Sequence, residues 1–113
     1  MKYAFLIYES PKDFAGRTPE VMGAYHAYGI ALAAAGAMAG GAGLQPPATA
    51  TALRVRDGKR HVQDGPFADA KEQLGGFYLI DVPDLDAALE WAAKCPGAHG
   101  AGVEVRPLLP MPE

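Results

Sequence analysis

Two charged stretches joined by a tight turn hold the side chains best suited to chemistry in this sequence. Residues 51–56 and 59–64 alternate in character, and Asp57-Gly58 between them favours a two-residue hairpin turn. The turn fixes the register, and one face then holds Leu53, Val55, Val62 and Asp64. A carboxyl group desolvated on an apolar face is a candidate general acid or base. An Asp before Gly is also typical of a turn that caps backbone N–H groups, so both interpretations of Asp64 stay open.

The opposite face of the predicted hairpin is basic. It holds Arg54, Arg56, Lys59 and His61. Like charges facing each other across a strand pair are unfavourable without a partner. The hairpin is therefore either solvated at this face or close to an anion. In the second case Arg54 and Arg56 bind a small anionic ligand.

The remaining histidines and the one cysteine do not form a recognisable metal site. His26 lies beside the apolar stripe of a predicted helix, as a core or interface histidine or as a proton-transfer group. Cys95 and His99 are close in sequence, but a zinc site needs three or four ligands and no second cluster accompanies them. We therefore expect neither a bound metal nor an organic cofactor.

Composition narrows the classes of partner and compartment. The 113 residues carry a formal net charge of −3, and a weakly acidic surface argues against binding nucleic acid or an anionic membrane, since both require a basic face. A single cysteine excludes an intramolecular disulfide and fits a reducing compartment. The N-terminal apolar run is too short for a signal peptide. We expect a single cytoplasmic domain over residues 1–113.

Alternating strands and helices must position these residues. Strands are predicted over residues 2–9, 37–44, 77–82 and 103–108, in addition to the hairpin. One helix follows the N-cap Thr18 and extends to about residue 35; a second follows Asp84. Its predicted buried stripe is Leu85, Ala88, Leu89, Ala92 and Cys95. Residues 10–17 are predicted as loop and 68–74 as helical turns. The order predicts an α+β, ferredoxin-like βαββαβ fold with an antiparallel sheet.

The predicted strands over residues 2–9 and 77–82 are apolar on both faces. Two helices can cover one face of such a sheet, and a chain this short has no further element for the other face. We therefore expect a homodimer in which the sheets of two copies pack face to face.

A longer block carries a resemblance to a known family. Asp64-Gly65-Pro66-Phe67 is followed by an extended matching stretch through residue 80, and residues 2–8, 43–50, 85–92 and 103–107 match as well. Together they resemble the DGPF-motif branch of the YCII-like family. The resemblance implies a dimeric α+β barrel of the ferredoxin-like kind. Relatives of this architecture include small-molecule isomerases and lactone- or dehalogenation-type enzymes.

The resemblance also implies site residues. The wider family is associated with a His–Asp pair, whose histidine position on the first helix falls on Tyr25, one residue before His26, and whose acid matches Asp64. The DGPF block adds Lys71 and Glu72, which either bind a ligand or form ion pairs that hold the loop across the end of the sheet.

Two functions are consistent with these residues. The first is a cofactor-independent acid–base enzyme that acts on a small anionic metabolite. Its catalytic residues are Asp64 and His26, and its ligand-binding residues are Arg54, Arg56, Lys71, Glu72 and Tyr25. The second is a non-catalytic binding or regulatory module that associates with an extracytoplasmic-function sigma factor. The family resemblance implies that partner, and the charge-free first helix offers it an apolar surface.

Overall fold

Strands and helices alternate through residues 1–110, the part of the chain that the computed structural model describes. The last three residues of the predicted domain lie outside the described part. The strands are β1 (Lys2–Glu9), β2 (Met38–Gly43), β3 (Thr51–Arg56), β4 (Lys59–Asp64), β5 (Gln73–Asp81) and β6 (Val103–Pro107). The helices are α1 (Pro11–Ala15), α2 (Pro19–Ala34) and α3 (Leu85–Lys94).

Four of the strands form one antiparallel sheet in the order β2-β5-β1-β6. The crossovers β1–α2–β2 and β5–α3–β6 each join two strands that have one other strand between them. This is the ferredoxin-like βαββαβ order, with β3 and β4 inserted as an additional hairpin. The predicted α+β fold with an antiparallel sheet is confirmed.

The helices cover one face of this sheet and form the core with it. Tyr3, Phe5 and Ile7 of β1 point toward the helices and are almost completely buried. They pack with Tyr28, Leu32, Ile80, Ala88, Ala92 and Cys95. The α2 helix begins where the sequence predicts, because the Thr18 hydroxyl accepts a hydrogen bond from the Val21 amide at 3.2 Å.

The opposite face of the sheet, which we call the open face, has no helix over it within residues 1–110. Ala4, Leu6 and Tyr8 of β1 lie on it and are half-buried, as is Leu79 of β5, which pairs with Ala4. The molecule is flat, at 46 × 42 × 18 Å. Its radius of gyration of 15.8 Å exceeds the value of about 13 Å expected for a compact domain of about 100 residues.

The hairpin of β3 and β4 forms a separate sheet with the predicted register. Leu53 pairs with Val62 and Thr51 pairs with Asp64. The turn residues Asp57 and Gly58 have φ angles of 52° and 73°, the left-handed conformation that this turn requires. Of the residues in the two strands, Ala52 alone is buried. The hairpin is therefore mostly exposed.

Three local predictions are wrong. Residues 68–74 form no helix, because β5 already begins at Gln73 and runs through Gly75-Gly76. Residues 11–15 form α1 in place of a loop, since Ser10 and Asp13 cap its first turn reciprocally. On α3 the predicted stripe is buried only at its small residues. Leu85 and Leu89 are 49% and 48% exposed, because the face of α3 that packs on the core carries Ala88, Trp91 and Ala92.

Candidate functional site

A buried ion pair lies at the end of the sheet beneath α2. Glu9 is the last residue of β1, faces the helices and is 7% exposed. The Arg17 guanidinium, just before α2, donates hydrogen bonds to the Glu9 carboxylate and to the carbonyl oxygens of Leu44 and Gly75, the last at 3.1 Å. A buried carboxylate is costly without a counter-charge. Arg17 therefore allows Glu9 to occupy this position and ties the ends of three strands together.

Two glycines provide the space that this site needs. A Cβ at Gly75 would overlap the Glu9 carboxylate. A Cβ at Gly97 would stand 2.7 Å from Ile7 Cγ2 and 2.9 Å from the Tyr25 hydroxyl oxygen. Both distances are too short for carbon, so the neighbouring side chains require glycine at these positions.

A cavity of about 200 Å³ lies between α2 and the strands β1, β2 and β5. Its polar side chains are Glu9, Arg17, Tyr25 and Tyr78, and its other lining residues are Ile7, Met22, Met38, Gly41, Ala42, Gly43, Gly75, Gly76 and Phe77. Ligand sites commonly combine apolar walls with a few convergent polar groups. The volume is below the range of about 300–1,000 Å³ that is usual for drug-sized ligands, so the cavity suits a compound of about one ring.

Tyr25 brings a proton-donating hydroxyl to this cavity. Burial raises the pKa of Tyr25 above its ordinary value, and the nearby Cys95 and Glu9 raise that pKa further, whereas Arg17 lowers it. The phenol therefore keeps its proton at neutral pH. Its backbone carbonyl accepts a hydrogen bond from the Tyr78 hydroxyl at 3.3 Å, whereas no residue in the described range 1–110 bonds to the Tyr25 hydroxyl itself.

A second and more open cleft, of about 350 Å³, borders the same wall. Glu9 and Tyr25 line both spaces, and the second cleft also contacts Lys12 and Asp13. Glu9 and Tyr25 thus stand between an apolar cavity and a polar cleft.

The two neighbouring predicted residues of α2 differ in their access to the cavity. Tyr25 lines the cavity and also borders an open groove, whereas His26 is exposed and borders only that groove, with Met22 and Ile30. One residue turns a helix by about 100°, which accounts for the difference between the two neighbours. The structure therefore puts the tyrosine, and not the histidine, beside Glu9.

The other predicted site residues lie at the surface of the single chain. Asp64 ends β4 and is exposed, as are Arg54 and Arg56 on β3. Lys71 and Glu72 are exposed and border a shallow hollow on another part of the surface. These residues do not line the cavity beneath α2. Their catalytic and ligand-binding roles, like that of His26, stay predictions.

Sequence reasoning did not identify Glu9 or Arg17. The signal for Glu9 was present, because strand alternation places it on the same face as Tyr3, Phe5 and Ile7. An acid at the end of an apolar face needs a partner. No local pattern shows which cation supplies it, since Arg17 reaches Glu9 only after α1 has reversed the chain direction.

The described residues contain neither a metal-binding cluster nor a membrane-spanning helix. Within residues 1–110 there is no group of three His, Cys, Asp or Glu side chains arranged to hold a metal ion. Over the same range, no helix combines the length and apolar character needed to cross a membrane.

Comparison with known proteins places this fold among solved and curated relatives. It is similar to the solved structure of 5-chloro-2-hydroxyhydroquinone dehydrochlorinase (TftG) from Burkholderia phenoliruptrix AC1100 in complex with 2,5-dihydroxybenzoquinone. The TM-score is 0.59 at 17% identity, over 96% of this chain and 94% of that chain. At this identity the likeness shows a common fold.

A curated relative is closer in sequence. The uncharacterized protein R00369 of Rhizobium meliloti (strain 1021) is 49% identical over 67 residues, which are 58% of this chain and 54% of that protein. The matched segment therefore spans about half the length of this relative. The family model of the YCII-related domain matches residues 1–112, nearly the whole sequence. The chain belongs to the YCII-related family.

Proposed function

We propose that this chain binds a small anionic ring compound in the cavity beneath α2 and catalyses proton transfer on it without a cofactor. The observation that carries the proposal is that Glu9 and Tyr25 both line one mostly apolar cavity. The apolar walls suit the ring, and the polar wall with the Arg17 guanidinium suits its oxygens.

The chemistry that these groups support is isomerisation through an enolate. Glu9 accepts a proton from a carbon next to a carbonyl group; the C–H electron pair forms a C=C bond, and the carbonyl oxygen takes the negative charge. Tyr25 donates a hydrogen bond to that oxygen, and Arg17 adds a positive charge nearby. Glu9 then returns the proton to a different carbon. No electrons leave the compound, so no oxidant or reductant is required.

The fold comparison gives independent support for the ligand class. The solved structure of TftG holds 2,5-dihydroxybenzoquinone, a single ring with hydroxyl and carbonyl oxygens. A ring of this class suits the volume of the cavity here. We also assign the chain to the DGPF-motif branch, because of Asp64-Gly65-Pro66-Phe67. The free buried thiol of Cys95 supports a cytoplasmic location.

The test is a calorimetric titration with 2,5-dihydroxybenzoquinone and a panel of hydroxyquinones, phenols and lactones. We expect at least one ring compound to bind at micromolar to millimolar concentration. Tyr25→Phe should weaken the binding of that compound about tenfold, since a lost hydrogen bond is worth about 1.4 kcal/mol. Tyr28→Phe is the matched control, because that hydroxyl bonds to the Trp91 carbonyl at 2.7 Å and does not line the cavity.

A separate readout tests the proton transfer. A bound ring compound with an acidic C–H should exchange that hydrogen for deuterium in heavy water, and Glu9→Gln should slow the exchange at least a hundredfold. The proposal is contradicted if no compound of the panel binds at millimolar concentration. It is also contradicted if Tyr25→Phe and Tyr28→Phe bind the compound equally well.

We also infer that two copies of the chain pack with their open faces together. The support is the half-buried apolar row on that face, which includes Leu6, Tyr8 and Leu79, and the flat shape of the single chain, 18 Å thick. Two layers of sheet at about 10 Å separation would enclose both rows.

A regulatory module is the second candidate function. It is supported by exposed apolar side chains on α2, which has no charged residue after Glu20; Val21, Met22 and Ile30 are 37%, 47% and 57% exposed. We expect a purified extracytoplasmic-function sigma factor to bind the chain, and Ile30→Asp to weaken that binding at least tenfold. Absence of binding at micromolar concentration would rule this candidate out.

A further inference from the structure

The two faces of the hairpin differ in what covers them. On one face, the loop that follows the hairpin packs back: the Arg54 guanidinium lies 4.3 Å from the centre of the Phe67 ring, and Gln63 donates a long hydrogen bond to the Pro66 carbonyl at 3.5 Å. The other face carries Leu53, Val55 and Val62, flanked by Arg60 near the turn and by Thr51 and Asp64 at the far end; we call it the hairpin apolar face. Its three apolar side chains are 47%, 64% and 57% exposed.

An uncovered hairpin of this kind is an unstable element by itself. A two-stranded hairpin in water is at best marginally stable, and it needs a third strand, a helix or another surface on its apolar side. Contiguous exposed apolar side chains on a folded protein commonly mark an interaction site. The hairpin apolar face therefore has the character of an interface and not of a solvated surface.

Charge distinguishes among the surfaces on which this face can dock. Residues 51–64 hold four of the ten basic and two of the thirteen acidic residues, a net charge of +2, which leaves −5 for the rest of the chain. Within residues 1–110, no ion pair involves a basic side chain of the hairpin. Two hairpins repel each other, whereas a hairpin and the body of a second copy attract.

We propose that the hairpin apolar face docks on the open face of a second copy of this chain, so that each hairpin reaches across to its partner. This inference rests on the pairing of two copies proposed above and adds an exchange of hairpins to it. Strands of six residues extend about 20 Å, which is comparable to the width of a four-stranded sheet with strands about 4.8 Å apart. Leu53 and Val62 then cover apolar side chains of the open face that lie beside the contact between the two sheets.

Hydrogen exchange and sedimentation on the full chain test the exchange of hairpins. We expect the amide protons of residues 51–64 to exchange at least tenfold more slowly at concentrations where the chain is dimeric than where it is monomeric. Leu53→Asp should raise the dimer dissociation constant at least tenfold. Leu89→Asp is the matched control, since Leu89 is 48% exposed on α3, and it should leave the dissociation constant unchanged.

The possible outcomes separate this inference from the pairing itself. The hairpin inference is overturned, and the pairing kept, by one result. In that result the chain dimerises, amide hydrogen exchange in residues 51–64 does not depend on concentration, and Leu53→Asp leaves the dimer intact. A chain that stays monomeric at every concentration overturns both. The amide hydrogen exchange is measured on the unmutated chain, so misfolding of a variant does not obscure that result.

Discussion

Glu9 and Asp64 each end a strand face that carries apolar side chains, and their surroundings differ completely. Glu9 closes β1 after Tyr3, Phe5 and Ile7, whereas Asp64 closes β4 after Val62. Glu9 is covered by helices and paired with Arg17, but Asp64 is exposed on the hairpin. The same local pattern thus gives a buried carboxylate in a cavity in one place and a solvated one in the other. The difference comes from the layer above each strand, which strand alternation does not encode.

The largest expected effect is a loss of stability when Glu9 loses its counter-charge. Arg17→Met leaves the Glu9 carboxylate buried without a counter-charge, so we expect the free energy of unfolding to fall by about 3–5 kcal/mol, measured by urea denaturation. The matched control is Arg106→Met. Its ion pair with Glu104 is long, 3.9 Å, and both side chains are at least half exposed. Arg106→Met should lower the free energy of unfolding by less than about 1 kcal/mol. Equal losses in the two variants would show that the burial of Glu9 does not depend on Arg17.

The next effect concerns the open face. Leu6→Glu places a charge in the proposed contact between two sheets, and two such charges face each other in a symmetric dimer. We expect the dimer dissociation constant to rise at least a hundredfold, or about 2.7 kcal/mol, as measured by sedimentation equilibrium. Leu89→Glu on α3 should have no such effect. If Leu6→Glu dimerises as tightly as the unmutated chain, the open face is not the interface.

A smaller effect on stability should appear at alkaline pH, and it concerns three tyrosines between the sheet and the helices. Burial raises the pKa of Tyr25, Tyr28 and Tyr78 above the ordinary value of 10.0. Above about pH 10 the unfolded chain loses these protons first, so the native state binds more protons and the free energy of unfolding falls as pH rises. Each group contributes up to about 1.4 kcal/mol per pH unit.

Tyr25→Phe removes one of these groups and should make that fall less steep by about 1 kcal/mol per pH unit. Urea denaturation series at several pH values between about pH 10 and about pH 11 measure it. A slope identical to that of the unmutated chain would mean that the Tyr25 hydroxyl is not buried in the native state.

Sequence patterns predict those parts of the molecule whose signals are local. The turn at Asp57-Gly58 fixes the register of the hairpin, and Thr18 and Asp84 mark helix starts because capping is a short-range interaction. The site depends on contacts between distant residues. Arg17 joins Glu9 to the Gly75 carbonyl, 58 residues away in the sequence, and Gly75 is glycine because Glu9 fills the space beside it. Such reciprocal constraints appear only once the strands are side by side.

The most direct test of the central claim, that the cavity beneath α2 binds the ligand, uses methionine methyl groups as reporters. Met22 and Met38 line the cavity, whereas Met1 is exposed at the N-terminus and lies outside it. With ¹³C-methyl-labelled methionine and a saturating ring compound from the panel, NMR should show both Met22 and Met38 methyl signals shifting while that of Met1 does not. A compound that binds and leaves the Met22 and Met38 signals unchanged would contradict the account.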